Sequence, residues 1–130
     1  MFAKTAKHEP VMEVALAFVD AVNRQDLIEL GKLMSKNHMF VDSLGVLVEG
    51  RDKMLAGWAD YLQTVPDYMV SIEETYTSGP VVVMLGVARG NKWQTPAAWR
   101  ATVLNGQVTE WRVYGDSAAL RKLMGQNALP

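Results

Sequence analysis

The dipeptide Asn105-Gly106 separates an apolar run over residues 102–104 from a second run over residues 108–114. Asn-Gly readily supplies the two positive φ angles of a type I′ turn, so the flanking runs are predicted to form an antiparallel hairpin. Side chains alternate along a strand. Glu110, Arg112 and Tyr114 therefore share one face of the second strand, and Trp111 and Val113 share the other. Both faces carry large side chains, and one of them is ionisable. A lone surface hairpin has no use for that arrangement. It predicts a curved sheet with a polar pocket on one side and a packed surface on the other.

The segments upstream supply the rest of such a sheet and something to wrap. Strands are predicted over residues 68–77, 81–89 and 95–104, broken at Ser78-Gly79-Pro80 and Gly90-Asn91-Lys92. The run over residues 81–89 is almost wholly apolar, which predicts burial on both faces. Before these strands come helices. Val11, Ala15, Phe18 and Val22 recur at helical spacing behind Pro10, which suits a first helical turn. Asp26 is placed to cap a second helix over residues 27–35, with Glu29 as its reciprocal partner. Two short strands, residues 38–42 and 46–49, precede a third helix. That helix starts after Arg51-Asp52 and stops at Pro66, with Leu55, Trp58, Ala59 and Leu62 on its buried face. Asp116 or Ser117 is expected to cap a last short helix reaching Met124. Helices first and antiparallel strands last is an α+β pattern. No linker or repeat divides the chain, so residues 1–130 are read as one domain.

Composition excludes several classes of function. The 49% hydrophobic content argues against disorder, and a net charge of -1 gives no electrostatic case for nucleic acid or an anionic membrane. There is no cysteine, which removes disulfides, thiolate metal sites and thiol chemistry. His8 and His38 are the only histidines, so no metal is expected. No apolar run is long enough to span a membrane, and the N-terminus lacks the apolar core of a secretory signal, so a cytoplasmic location is expected. The loop glycines do not form a phosphate-binding motif, the methionines read as adaptable packing, and no cofactor is expected.

Four segments in order carry a resemblance: Phe18-Val19-Asp20-Ala21-Val22-Asn23-Arg24-Gln25-Asp26-Leu27, Met39-Phe40-Val41-Asp42, Gly50-Arg51-Asp52, and Glu110-Trp111-Arg112-Val113-Tyr114-Gly115-Asp116. In this succession the chain resembles the NTF2-like superfamily, in particular its SnoaL-like and ketosteroid-isomerase-like members. The resemblance implies a cystatin-like α+β roll, a cone of curved sheet wrapped around N-terminal helices and enclosing an apolar cavity. It also implies a homodimer paired through the outer face of the sheet. Trp111 and Val113 would then form that face, and Glu110, Arg112 and Tyr114 would line the cavity. Activities in the superfamily range over isomerases, cyclases, epoxide hydrolases and dehydratases to non-enzymatic binding proteins.

Asp42 is the leading catalytic candidate, because in the isomerase-like pattern this position carries the general base. A carboxylate at an apolar mouth is poorly solvated, which strengthens it as a base. The plainer reading is that Asp42 holds the turn through Ser43-Leu44-Gly45. Arg112 is expected to meet Asp42 across the cavity; the alternative is a structural ion pair that fixes the sheet. The oxyanion side departs from the isomerase pattern. Phe18 stands where the family tyrosine would donate, and Ala97-Ala98-Trp99 offers no acid. Phe18, Trp58, Tyr61 and Trp99 are expected as ligand-contacting walls, though Trp58 also reads as core filler. His38 reads as a strand histidine with a backbone partner, or else as a pocket acid/base. The expected occupant is a small apolar molecule with one polar group. Cofactor-independent isomerase, cyclase, hydrolase or lyase chemistry stands beside plain ligand binding and a purely structural dimer.

Overall fold

Helix α1 (Pro10–Arg24) opens on the proline and buries Met12, Ala15, Phe18, Val19 and Val22. The computed structural model describes residues 3–4 and 10–115, so His8 and the helix expected before Met124 lie outside the described residues. Helix α2 (Leu27–Leu33) is capped by Asp26, whose Oδ1 accepts the Glu29 N–H at 3.0 Å, but the expected reciprocal bond from the Glu29 side chain is replaced: the Asp26 N–H donates to the Ala21 carbonyl at 2.9 Å. It stops short of residue 35 because Met34 turns extended, at ψ 135°, and begins strand β2 (Met34–Val41). Helix α3 (Arg51–Thr64) buries Met54, Trp58 and Leu62 at four-residue intervals, leaving Leu55 and Ala59 on the flank of that line.

Among the described residues the strands form one seven-stranded sheet in the order β1-β4-β5-β6-β7-β2-β3. Its body is a meander of β4 (Met69–Ser78), β5 (Val81–Gly90), β6 (Trp93–Leu104) and β7 (Gln107–Gly115). Asn105 and Gly106 both take positive φ, 52° and 74°, as a type I′ hairpin requires. Strand β2 then lies parallel to β7, with β3 (Leu47–Glu49) at its far side. Strand β1 (Ala3–Lys4), not anticipated from sequence, pairs with β4 at the opposite edge.

Bulges bend the sheet around the helices. In β4 the register slips between Ile72 and Glu74 opposite Gly86, where an added Cβ would run into the Ser71 carbonyl. In β7 it slips at Thr109, so that Val103 faces Val108 but Thr102 faces Glu110. The concave face buries Val82, Met84, Trp99, Ala101, Val108 and Trp111 against α1. Strand β5 is not covered on both sides: Val82, Met84 and Ala88 are buried, while Leu85 on the convex face is 37% exposed. Among the described residues no helix is long and apolar enough to cross a membrane.

The faces of β7 are the reverse of the sequence expectation. Trp111 is buried and stacks on Phe18 at a ring-centroid distance of 4.3 Å. Val113 points to the same concave side, and Glu110, Arg112 and Tyr114 take the convex side. Packing an indole into the core removes far more apolar area from water than packing the Arg112 side chain there, and it buries no charge.

Candidate functional site

At one end of the concave face lies a cavity of about 460 Å³. The end of β2, strand β3, helix α3, the turn before β4 and strand β7 line it. Its aromatic wall is Phe40, Trp58, Tyr61 and Tyr68. Tyr61 and Tyr68 meet edge to face at 5.1 Å, and Trp58 stands nearly perpendicular to Tyr61 at 6.4 Å. Such T-shaped contacts hold the rings in fixed orientations. Val48, Met54 and Val113 complete the apolar lining. Burial pushes the Tyr61 and Tyr68 hydroxyls above the usual phenol range, so both remain protonated donors at neutral pH.

Three polar side chains, Asp42, Ser43 and Lys53, border this space. Asp42 follows the last residue of β2, one step beyond the pairing of Val41 with Arg112. The pleat therefore sets it on the same side as Val113 and away from Arg112. Asp42 Oδ1 accepts two backbone N–H groups, from Leu44 and Val46, at 2.9 Å each. The plainer reading of Asp42 as a turn former thus holds, and it coexists with a place on the cavity wall. Among the described residues no hydrogen bond or ion pair reaches its Oδ2. Trp58 is 6% exposed, and its indole Nε1 has no hydrogen-bond partner among the described residues.

The other expected site residues are elsewhere. Phe18 and Trp99 are fully packed in the core, and neither borders the cavity. Helical and strand periodicity assigned both to the inner side correctly, but not their depth along the cone. Arg112 and Glu110 do not reach Asp42. Arg112 Nη2 donates to Glu110 Oε2 at 3.1 Å on the convex face, and Arg100 Nη2 lies 3.5 Å from Glu110 Oε1. This is the structural ion pair, extended to a third member. Arg100 and Arg112 stand directly opposite each other on β6 and β7, so the lone carboxylate between them offsets their repulsion. Tyr114 is half exposed beside them.

His38 is fully buried; its Nδ1–H donates to the Val108 carbonyl at 2.7 Å, and its ring stacks on Phe18 at 6.0 Å. That is the backbone-partnered reading. No group of three or more metal-ligating side chains occurs among the described residues. Sequence reasoning missed Phe40, Lys53, Tyr68 and Val113 as lining residues. Tyr68 had a usable signal: it follows Pro66-Asp67, where α3 hands the chain to β4 at the open end of the sheet.

A family model described as a SnoaL-like domain matches residues 15–117. Solved structures share the architecture. One, from Jannaschia sp. CCS1, is provisionally named a SnoaL-like polyketide cyclase. It is 20% identical at a TM-score of 0.78, with 98% of this chain and 99% of that chain covered. An NTF2-like protein of unknown function from Cytophaga hutchinsonii is 18% identical at a TM-score of 0.73, covering 85% of this chain and 93% of that one. A protein with a ketosteroid isomerase-like fold from Catenulispora acidiphila, solved with trimethylamine, is 20% identical at a TM-score of 0.74, covering 91% and 98%. At these identities the likeness establishes the fold alone. No curated protein matches the sequence significantly.

Proposed function

The chain belongs to the SnoaL-like domain family of the NTF2-like superfamily, and on that premise we propose that it takes up a small apolar molecule with one polar group, on which Asp42 acts as a general base. The observation that carries this reading is a single carboxylate, Asp42, bordering a cavity of about 460 Å³ whose wall is otherwise mostly aromatic and aliphatic. That volume suits a small organic molecule and little more. With Oδ1 committed to the turn, Oδ2 is the oxygen for proton transfer. The matching chemistry is removal of a proton beside a carbonyl, the step shared by cofactor-independent isomerases, cyclases and lyases. Protonated Tyr61 and Tyr68 supply hydroxyl donors for the developing oxyanion, taking the part that Phe18 cannot play.

The test is hydrogen exchange at the carbon next to the carbonyl of a model ketone, 2-tetralone, followed by NMR in deuterated buffer. D42N retains an amide Oδ1 that can still accept from Leu44 and Val46, so it keeps the turn and removes only the base. Exchange above the buffer rate should fall by about 10²-fold or more in D42N with ketone binding retained. Equal exchange by wild type and D42N would eliminate Asp42 as the base.

A second reading, ligand binding without chemistry, draws support from the turn itself. Two backbone donors explain the presence of Asp42 with no catalytic role. Binding of the ketone with no exchange above buffer in either protein would favour it. We also propose a homodimer formed through the convex face of the sheet. Leu85, Met39 and Tyr114 lie exposed there, on the same side as the Arg100–Glu110–Arg112 cluster.

A further inference from the structure

We infer that Gly57 decides which ligands the cavity admits: its missing side chain leaves a notch in the cavity edge of helix α3, and that notch makes room for an apolar body two fused rings wide. This rests on the proposed ligand-binding role of the cavity and specifies the width of the molecule it takes.

Lys53, Gly57 and Tyr61 recur at four-residue intervals on α3, and all three border the cavity. Residues so spaced project from one side of a helix. Gly57 is therefore a gap between two long side chains. Two helical turns, about 12 Å, separate the backbone positions of Lys53 and Tyr61. That length accommodates a two-ring body only while the position between them carries no side chain. The backbone does not call for glycine here, since Gly57 lies within the helix and is not in the left-handed region. Packing does not call for it either. A Cβ at Gly57 would meet nothing closer than the Met54 side chain at 3.9 Å, an ordinary contact with another residue of the cavity lining. Gly31 on α2 is the contrast, because a Cβ there would come within 3.1 Å of Leu55 Cδ1. A glycine inside a helix weakens the folding equilibrium about two- to fivefold relative to alanine. At Gly57 no close contact offsets that cost, and what the missing side chain leaves is space at the cavity.

The experiment titrates two ketones with the same carbonyl group, acetophenone with one ring and 2-acetylnaphthalene with two, into the full chain labelled with nitrogen-15. Wild type should bind the two-ring ketone about tenfold or more tightly, from the extra apolar area. G57L should bring that ratio to about threefold or less, and G57A to a value between. G57A should also melt about 2–5 °C higher than wild type. Both variants keep every polar side chain of the wall, Asp42, Ser43, Lys53, Tyr61 and Tyr68, so a lost preference reports space and not a lost polar contact. A wild-type ratio near one, or a ratio that G57L leaves unchanged whether or not both affinities fall, overturns the selection by width and leaves the cavity as a binding site. A lower melting temperature in G57A would give the glycine a structural reason and overturn it as well. Should G57L fail to fold, G57A decides: a raised melting temperature with an unchanged ratio makes Gly57 a tolerated surface glycine. Binding of neither ketone by wild type overturns both this inference and the ligand-binding reading beneath it.

Discussion

At the residue scale, the notable groups are buried polar atoms whose partners are few. Trp58 and His38 are two of them, beside members of the Arg100–Glu110–Arg112 cluster. The Nδ1–H of His38 is used by Val108, which fixes the tautomer and leaves Nε2 with no partner among the described residues. A proton added to Nε2 would place a cation beside the Phe18 ring, with no carboxylate bonded to it. Burial accordingly pushes the His38 pKa below the ordinary histidine value, outweighing the opposing effect of the Val108 carbonyl. The consequence for stability has a definite sign. Between the folded and unfolded pKa values the unfolded chain holds more protons, so stability rises with pH across that window. The contribution is complete above about 6.5, the unfolded value, and is lost as pH falls toward the lower folded value. The urea midpoint of the wild type should therefore fall between pH 7.5 and pH 5. In H38Q, which does not titrate there, the midpoint should fall less over the same interval, although that variant is less stable at both pH values. Parallel pH profiles for the two proteins would show that His38 is not the group responsible.

At the element scale, strand β7 decides how the cone is built, and its orientation carries a measurable cost. Trp111 is 2% exposed and packed between Phe18 and the concave face of the sheet. W111A should lose about 3–5 kcal/mol of unfolding free energy in denaturant titration, the range for an aromatic ring deleted from a core. A loss under about 1 kcal/mol would mean that the ring lies at the surface. Much of the element order was legible from sequence, because each signal is local: Pro10 at a helix start, Asp26 at a cap, Asn105-Gly106 in a hairpin. The parallel partnership of β2 with β7 was not legible, since no local pattern records which distant strand closes a sheet. The faces of β7 were misassigned for a related reason. Alternation separates Glu110, Arg112 and Tyr114 from Trp111 and Val113, but which set turns inward depends on what α1 offers, namely Phe18. The site divides in the same way. Asp42, Trp58 and Tyr61 do border the cavity, whereas Phe18 and Trp99 share its face but lie deeper in the core. Periodicity reports a face and is silent about depth along it.

At the scale of the whole molecule, the two faces of the sheet divide the labour. The concave face holds the core and, at its open end, the cavity. The convex face of β5 carries Leu85, 37% exposed, in line with Val83 and Val87 and across from Ala98 on β6. Met39 on β2 and Tyr114 on β7 extend this surface, exposed at 37% and 50%. This apolar strip, flanked by Glu74 opposite Leu85, by Glu49 opposite Met39 and by the Arg100–Glu110–Arg112 cluster, is suited to another surface of the same kind. Two copies related by a twofold axis would supply that surface, since such an interface needs only to complement itself. Leu85 is the informative position. Glu74 on β4 stands directly across from it, so a cation at position 85 has a carboxylate within its own copy. The charged side chain must still be desolvated wherever this apolar strip is buried against a second copy. L85R should therefore halve the mass measured by light scattering at micromolar concentration. Its melting temperature when already monomeric should show little further change on dilution, because Leu85 is partly solvated within one copy. A wild-type mass equal to one chain at tens of micromolar would dismiss the dimer. A dimer that survives L85R would move the interface off this face of the sheet.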